Sequence, residues 1–165
     1  MLKELGFNYC FLDQTYLENL LPGLCKNINI ERLNFSCNGL DDRSAYLIAK
    51  IINAQSERRD EIVWSYSLRG ELPPDAEYKR GLKEMMLSHN NFGAQLCHEL
   101  IMSLRNDIYV RSLDLRNNSL PEHWLKQFVK LLLSNKSLTQ LDLRENEGFN
   151  EKIKFQISFK LLQNI

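Results

Sequence analysis

Five stretches of this 165-residue chain share one eleven-residue pattern. They read LKELGFNYCFL from Leu2, IERLNFSCNGL from Ile30, LKEMMLSHNNF from Leu82, VRSLDLRNNSL from Val110 and LTQLDLRENEG from Leu138. Apolar residues hold the first, fourth and sixth places, and Asn or Cys holds the ninth. The step is 28 residues from 2 to 30, from 82 to 110 and from 110 to 138; from 30 to 82 it is 52, which is 24 longer. A period of this size means that each unit is one supersecondary element. Such a unit cannot bury its apolar face alone and must stack on its neighbours.

The fourth and sixth residues of each unit alternate with polar ones, which is the period of a short strand. The inward pairs are Leu5/Phe7, Leu33/Phe35, Met85/Leu87, Leu113/Leu115 and Leu141/Leu143. At the ninth place Asn38, Asn90, Asn118 and Asn146 are read as structural. The chain bends away from the strand there, and a buried amide can satisfy the backbone groups left behind. A helix follows, and its apolar positions align when shifted by the period. One column is Leu17, Ala45, Cys97, Leu125 and Ile153, the next Leu20, Ile48, Leu100 and Phe128, the third Leu24, Ile52, Leu104 and Leu132. Spacings of three, four and seven place them on one helix face. Pro121 suits a first helical turn. The expected fold is an α/β leucine-rich-repeat solenoid of about five repeats in a single domain over 1–165. Its strands form a parallel concave sheet and its helices the convex side, in the ribonuclease-inhibitor-like subclass. Gln156 and Lys160 replace apolar residues in the last repeat, as in a terminal cap, but Phe155 and Phe159 do not fit that reading cleanly. They would cover further chain or mark a shifted helix. The first repeat begins directly with its strand, so the chain is expected to be a piece of a longer protein. The alternative is a short protein that dimerises through that strand edge.

Lys plus Arg equal Asp plus Glu at 21 each. A formal charge of zero argues against general nucleic-acid binding, which needs a basic excess. No apolar run is long enough to span a bilayer, and the start lacks the apolar stretch of a signal peptide. Cys10, Cys25, Cys37 and Cys97 form no CxxC pair and no cluster with the histidines; they are read as reduced and intracellular.

The longer step places an insert at about Gln55 to Gly81, QSERRDEIVWSYSLRGELPPDAEYKRG. Its first half prolongs the second helix, and Pro73–Pro74 stop it. Interruptions of a regular repeat are often where function sits. In one reading Trp64 and Tyr66 pack the insert back on the solenoid. In the other it is a docking knob that offers Arg58, Arg59, Trp64, Tyr66 and Arg69 to a partner.

RRDEIVWSYSLR, set between IERLNFSCNGL and LKEMMLSHNNF, resembles the centrosomal protein of 78 kDa family, whose repeats carry a similar RR…W…SLR interruption here. VRSLDLRNNSL and LTQLDLRENEGF are also similar, so the resemblance covers nearly the whole chain. Many families share the repeat motifs; only the insert and its placement are specific. Members of that family have more repeats upstream and a long C-terminal part with a coiled coil. The resemblance implies a cytoplasmic scaffold of the centrosome, centriole or basal body with a role in cilium assembly. Ubiquitin-ligase components are among the implied partners.

Signs of catalysis are lacking. There is no phosphate-binding glycine loop, and His89, His98 and His123 fall in different contexts, with His89 on or beside the concave face. No His or Cys spacing suggests zinc, and no cofactor or metal is expected. The strand residues that point away from the core form two columns. The fifth place reads Gly6, Asn34, Met86, Asp114, Asp142, and the seventh Asn8, Ser36, Ser88, Arg116, Arg144. Neighbouring strands lie about 4.8 Å apart, so like charges stack, with each Asp two residues from an Arg. This is either a lattice that satisfies itself or a patch in which Arg116 and Arg144 read a carboxylate, extended by Met86, His89, Gln140 and Glu145. The reading is a non-enzymatic protein-interaction module that binds proteins rather than nucleic acid or membrane. The rivals are a regulator of a small GTPase and an inhibitor- or sensor-type repeat module.

Overall fold

The computed structural model describes the backbone of residues 2–164, with every side chain in that span except those of Ala76 and Tyr78. Five three-residue strands alternate with helices. They run β1 (Glu4–Gly6), α1 (Gln14–Lys26), β2 (Arg32–Asn34), α2 (Ala45–Ser67), α3 (Asp75–Tyr78), β3 (Glu84–Met86), α4 (Ala94–Leu104), β4 (Ser112–Asp114), α5 (Glu122–Ser134), β5 (Gln140–Asp142) and α6 (Glu151–Leu161). The strands form one parallel sheet in chain order, β1-β2-β3-β4-β5. Its register aligns Leu5, Leu33, Met85, Leu113 and Leu141, the fourth place of each repeat. The chain is therefore a leucine-rich-repeat solenoid, with strands on the concave side and helices on the convex one.

The core is a continuous stack of like positions. Leu33, Met85 and Leu113 are at most 2% exposed, and Phe35, Leu87 and Leu115 are at 0%. All five residues of the first helical column and all four of the third are buried; in the second, only Leu20 is partly open. Leu5 and Phe7 of the first repeat are half-buried, with the Phe7 and Phe35 rings stacked at 5.6 Å. In α6 the buried stripe is Ile153 and Ile157, while Phe155 and Phe159 stack on each other outside. Ile153 keeps the column of Leu125, and Phe155 and Phe159 are exposed at 70% and 51%. Pro121 stands one residue before α5 as its N-cap.

Two amide ladders hold the turns. The expected one runs through the ninth place. Asn118 donates from Nδ2 to the carbonyls of Leu87, Leu115 and Arg116 at 3.0–3.1 Å and accepts the Phe92 N–H. Asn146 repeats this one unit on, bonding the Leu115, Leu143 and Arg144 carbonyls and accepting the Asn118 and Leu120 N–H groups. Cys10 donates its backbone N–H to Asn38 and its thiol to the Asn8 carbonyl, and has no amide to pass the ladder on. The second ladder lies where each helix returns to the next strand. Asn135 donates to the Leu104 and Asp107 carbonyls and accepts from the Ser137 and Leu138 N–H groups. Asn27 accepts from Asn29 and Ile30 in the same way, and Asp107 from Tyr109 and Val110.

Gln55 takes this second-ladder slot at the root of the insert. Its Nε2 donates to the Leu24 and Asn27 carbonyls, one repeat back, as Asn135 does. Its Oε1 reaches the Leu82 N–H at 3.5 Å, beyond the whole insert. Gly81 has φ of +94°, and a Cβ there would lie 2.8 Å from Gln55 Oε1, so only glycine fits where the chain re-enters the repeat. Residues 56–79 are thus looped out of an otherwise continuous period.

Candidate functional site

The concave face is a grid of cross-strand pairs. At the second place Lys3 and Lys83 both hold Glu31, each at 2.9 Å. The hydrogen bonds from Lys83 and Lys3 hold the Glu31 carboxyl down at about 2. At the third place Arg32 pairs with Glu4 at 3.0 Å, and Ser112 donates to Gln140 at 3.1 Å. At the seventh, Ser88 donates to Ser36 at 3.0 Å.

The Asp/Arg columns form the expected lattice. Arg116 contacts Asp114 at 2.9 Å and Asp142 at 3.4 Å, and Arg144 contacts Asp142 at 2.6 Å. Burial opposes the charge on Asp142, but the bonds and charge of Arg144, with Arg116, outweigh it and leave its acidity strengthened. The hydrogen bond to Asp114 holds the Arg116 guanidinium more firmly protonated. Each fifth-place Asp also accepts the N–H two residues on, from Arg116 or Arg144, and Asn34 does the same for Ser36. These Asx turns fix the bend at the strand end. Met86 interrupts that column with a half-buried apolar side chain. Arg116 is committed to two carboxylates, whereas Arg144, Gln140, Glu145 and His89 are exposed.

One property of this rim has no constant residue type to announce it. The eighth place is left-handed in every repeat: Tyr9, Cys37, His89, Asn117 and Glu145 have φ between 47° and 61°. Non-glycine residues are uncommon there. The side chains pair along the column. Cys37 holds the Tyr9 phenol above its ordinary value, and Asn117 Nδ2 lies 2.7 Å from His89 Nδ1. The other histidines sit elsewhere, flanking Trp124 with ring centroids at 6.1 Å (His98) and 5.5 Å (His123). Among the described residues no three potential metal ligands come together. Burial pushes the Cys97 thiol up to about 12, which suits a packing role.

At the insert the structure separates residues that the sequence groups. Arg58 is exposed, but Arg59 is 3% exposed and is not part of a free surface. Its Nη2 donates to the Leu82 carbonyl and its Nε to that of Gln55, and its guanidinium lies 4.1 Å from the centre of the Tyr109 ring. Burial makes the guanidinium less basic than usual. Around it, Tyr109 donates to Asp60 at 2.6 Å and Ser56 donates to Asp107. Asp107 puts a carboxylate in the amide slot: one oxygen accepts the Tyr109 and Val110 N–H groups, and the other accepts from Ser56. Arg59 and Tyr109, then, hold the insert to the solenoid.

Trp64 does not have that role: it is 65% exposed, which overturns the reading in which it packs the insert back. Leu68 and Leu72, at 67% and 92%, extend an open apolar arm that sequence reading missed. Tyr66 is half-buried, donates to Glu77 at 3.1 Å and carries Arg69 over its ring at 4.5 Å. Arg69 pairs with Glu71 at 3.2 Å and remains exposed. The insert thus has a rigid root at Gln55, Arg59 and Tyr109 and an open apolar and basic tip at Arg58, Trp64, Leu68 and Arg69.

Comparison with known proteins places these features in context. A Leucine Rich repeat family model matches residues 26–49. The chain is 30% identical to the centrosomal protein of 78 kDa of Mus musculus and to that of Homo sapiens, in both cases over 164 residues and 99% of its length. The resemblance read from the insert is borne out. The chain spans 21% of the mouse protein and 24% of the human one. Two solved structures share the fold at a TM-score of 0.73. The leiomodin-1 actin-binding site 2 is 13% identical, with 98% of this chain and 80% of that one covered. The Caenorhabditis elegans tropomodulin C-terminal domain is 15% identical, with 99% and 84% covered.

Proposed function

We propose that this leucine-rich-repeat chain, similar along 99% of its length to the centrosomal protein of 78 kDa, is a non-enzymatic interaction scaffold of the centrosome. The single observation that carries the reading is that similarity, which runs through the insert as well as the repeats. The geometry is compatible with it. A stacked solenoid presents a pre-organised surface, which lowers the ordering cost of binding. No helix among the described residues is long and apolar enough to cross a membrane.

Two surfaces are assigned to partners. The tip of the insert offers Trp64 and Leu68 between Arg58 and Arg69, an aromatic and basic combination typical of binding hot spots. The concave face offers Arg144, Gln140 and Glu145 beside Met86, with His89 at the rim. Finer parts of the proposal are residence at the centriole or basal body, a role in cilium assembly, and ubiquitin-ligase components as partners. The Arg116 guanidinium is held by two aspartates, which disfavours an arginine that acts on GTPase-bound phosphates.

The test is affinity capture from ciliated-cell extract with the wild-type chain, an Arg58→Glu/Trp64→Ala/Arg69→Glu variant and an Arg144→Ala/Glu145→Ala variant. Centrosomal proteins should be enriched by the wild type and depleted by at least one folded variant. A wild-type capture without centrosomal proteins would remove the scaffold assignment.

A further inference from the structure

The second-place column of the sheet changes character at the fourth repeat. Glu31 takes up the charge of both Lys3 and Lys83, each at 2.9 Å. Arg111 comes next, between Lys83 and Thr139, and neither neighbour brings it an acid. Its Nη1 donates instead to the Ser137 carbonyl at 3.2 Å, in the turn that leads to β5.

This guanidinium borders a cavity of about 330 Å³ between that turn and the one that leads from α4 to β4. Arg105 and Lys136 line it as well. All three cations are exposed, and among the described residues none of them has an ion pair. The one carboxylate of the lining, Asp107, is buried and already taken, by the Tyr109 and Val110 N–H groups on one oxygen and by Ser56 on the other. The carbonyls at the ends of α4 and α5, which would repel an anion, are spent too. Those of Leu104 and Asp107 accept from Asn135 Nδ2, that of Asp107 also from the Ser137 hydroxyl, and that of Leu131 from the Asn135 N–H. Ile108, 62% exposed, adds an apolar side chain to the wall. Both walls are complete turns, and the outer one is backed by Asn164, which donates to the Asn135 and Leu138 carbonyls at 3.1 and 2.7 Å. The cavity is thus a cleft between two successive repeats that gathers three charges without a counter-charge.

We propose that this cleft binds the phosphate of a phosphorylated serine or threonine in a partner protein. Arg111 and Arg105 donate to its oxygens, Lys136 balances its charge, and Ile108 receives an apolar neighbour of the modified residue. A phosphorylated hydroxyl carries about two negative charges at neutral pH and three acceptor oxygens, more than a carboxylate offers to three cations. Guanidinium groups match such an anion with paired N–H bonds. A membrane surface would call for a broad basic face. Here the flanking Lys83 is neutralised by Glu31, and the whole chain balances 21 cations with 21 acids. The cleft is separate from the concave patch and the insert tip, so it stands or falls independently of them.

The probe is a capped dipeptide, N-acetyl-phosphoserine-isoleucine amide, titrated into the isotope-labelled 165-residue chain and followed by NMR. The amides of residues 105–111 and 134–137 should shift to saturation, and the dipeptide with unmodified serine should bind at least tenfold more weakly. Arg105→Gln/Lys136→Gln removes no hydrogen bond of the folded chain. It should weaken the phosphorylated probe at least tenfold and leave the thermal midpoint in place. Lys50→Gln/Lys152→Gln, an equal loss of charge at exposed positions elsewhere, should change binding less than twofold. Shifts that do not saturate at these amides, equal binding of the unmodified dipeptide, or equal losses in the two double variants would overturn the proposal. Inorganic phosphate that binds as tightly as the dipeptide would reduce the cleft to a site for a free anion and remove the protein partner. Vesicles of phosphatidylcholine and phosphatidylinositol monophosphate that bind where the dipeptide does not would overturn it in favour of a lipid headgroup.

Discussion

Asn118 shows how one side chain can hold two repeats together. It is 8% exposed and bonds carbonyls of its own repeat and of the one before, while its oxygen takes a turn N–H. Alanine there leaves the buried Phe92 N–H without its acceptor and takes one of two donors from each of the Leu87, Leu115 and Arg116 carbonyls, so a loss of about 1–3 kcal/mol is expected in urea unfolding. Aspartate should rescue little, because a carboxylate cannot donate to three carbonyls. Cys10→Ala, in the exposed first-repeat slot, should be close to neutral. Glu31 gives a second residue-level prediction. Its folded value is depressed to about 2 by two lysines. Its contribution is therefore complete above the unfolded carboxyl range and is lost as pH falls toward 2. A carboxyl titration by NMR should find it among the most acidic groups, and Lys3→Met/Lys83→Met should return it upward. The ninth-place ladder was legible because one chemical type recurs at a fixed interval. The second ladder was not, because its slots hold Asn27, Gln55, Asp107 and Asn135, three residue types doing related work.

At the scale of the element, the extended α2 is the instructive case. The length of the excursion, its helical first half and its interruption at the prolines could all be read from the chain. The burial of Arg59 could not, because its partners Leu82 and Tyr109 are 23 and 50 positions away and lie beneath it only once the solenoid has formed. Arg58 and Arg59 look alike in sequence and should behave oppositely. Arg58→Glu should change stability by no more than about 0.5 kcal/mol, as exposed positions do. Arg59→Glu would bury an uncompensated acid near Asp60 and Asp107, at a cost of about 3 kcal/mol or more. Thermal unfolding of the two single variants measures the contrast. A double reversal at both positions would mix a surface effect with a folding defect, so partner capture needs Arg69→Glu in place of the Arg59 change. The exposure of Trp64 follows from the same anchoring. With Arg59 and Tyr109 closing the root, the helix beyond is free to carry its apolar residues outward.

Among the described residues, packed elements touch only within a repeat or between adjoining repeats, and stability should be close to a sum of repeat and neighbour contributions. Leu113, 1% exposed in the fourth repeat, is covered on both sides, whereas Leu5 in the first is half-buried. Leu113→Ala should cost about 3–4 kcal/mol and Leu5→Ala distinctly less. Native-state hydrogen exchange should show protection that falls from β3 toward both ends. The positive φ at the eighth place adds to this picture a feature no residue pattern betrayed, since Tyr9, Cys37, His89, Asn117 and Glu145 share geometry but no chemistry. The bond between the Gln55 side chain and the Leu82 N–H has one more consequence. In the regular turns the amide slot and the first residue of the next repeat are three apart, as in Asn135 and Leu138. Removing 56–79 gives Gln55 and Leu82 that same separation, with Arg80 and Gly81 between them. The excursion is thus a cassette with legible cut sites. A chain without it, with Gln55→Asn and Asp107→Asn to restore the amide slots, should refold as an uninterrupted array. Any binding lost with the cassette could then be assigned to it and not to a damaged scaffold.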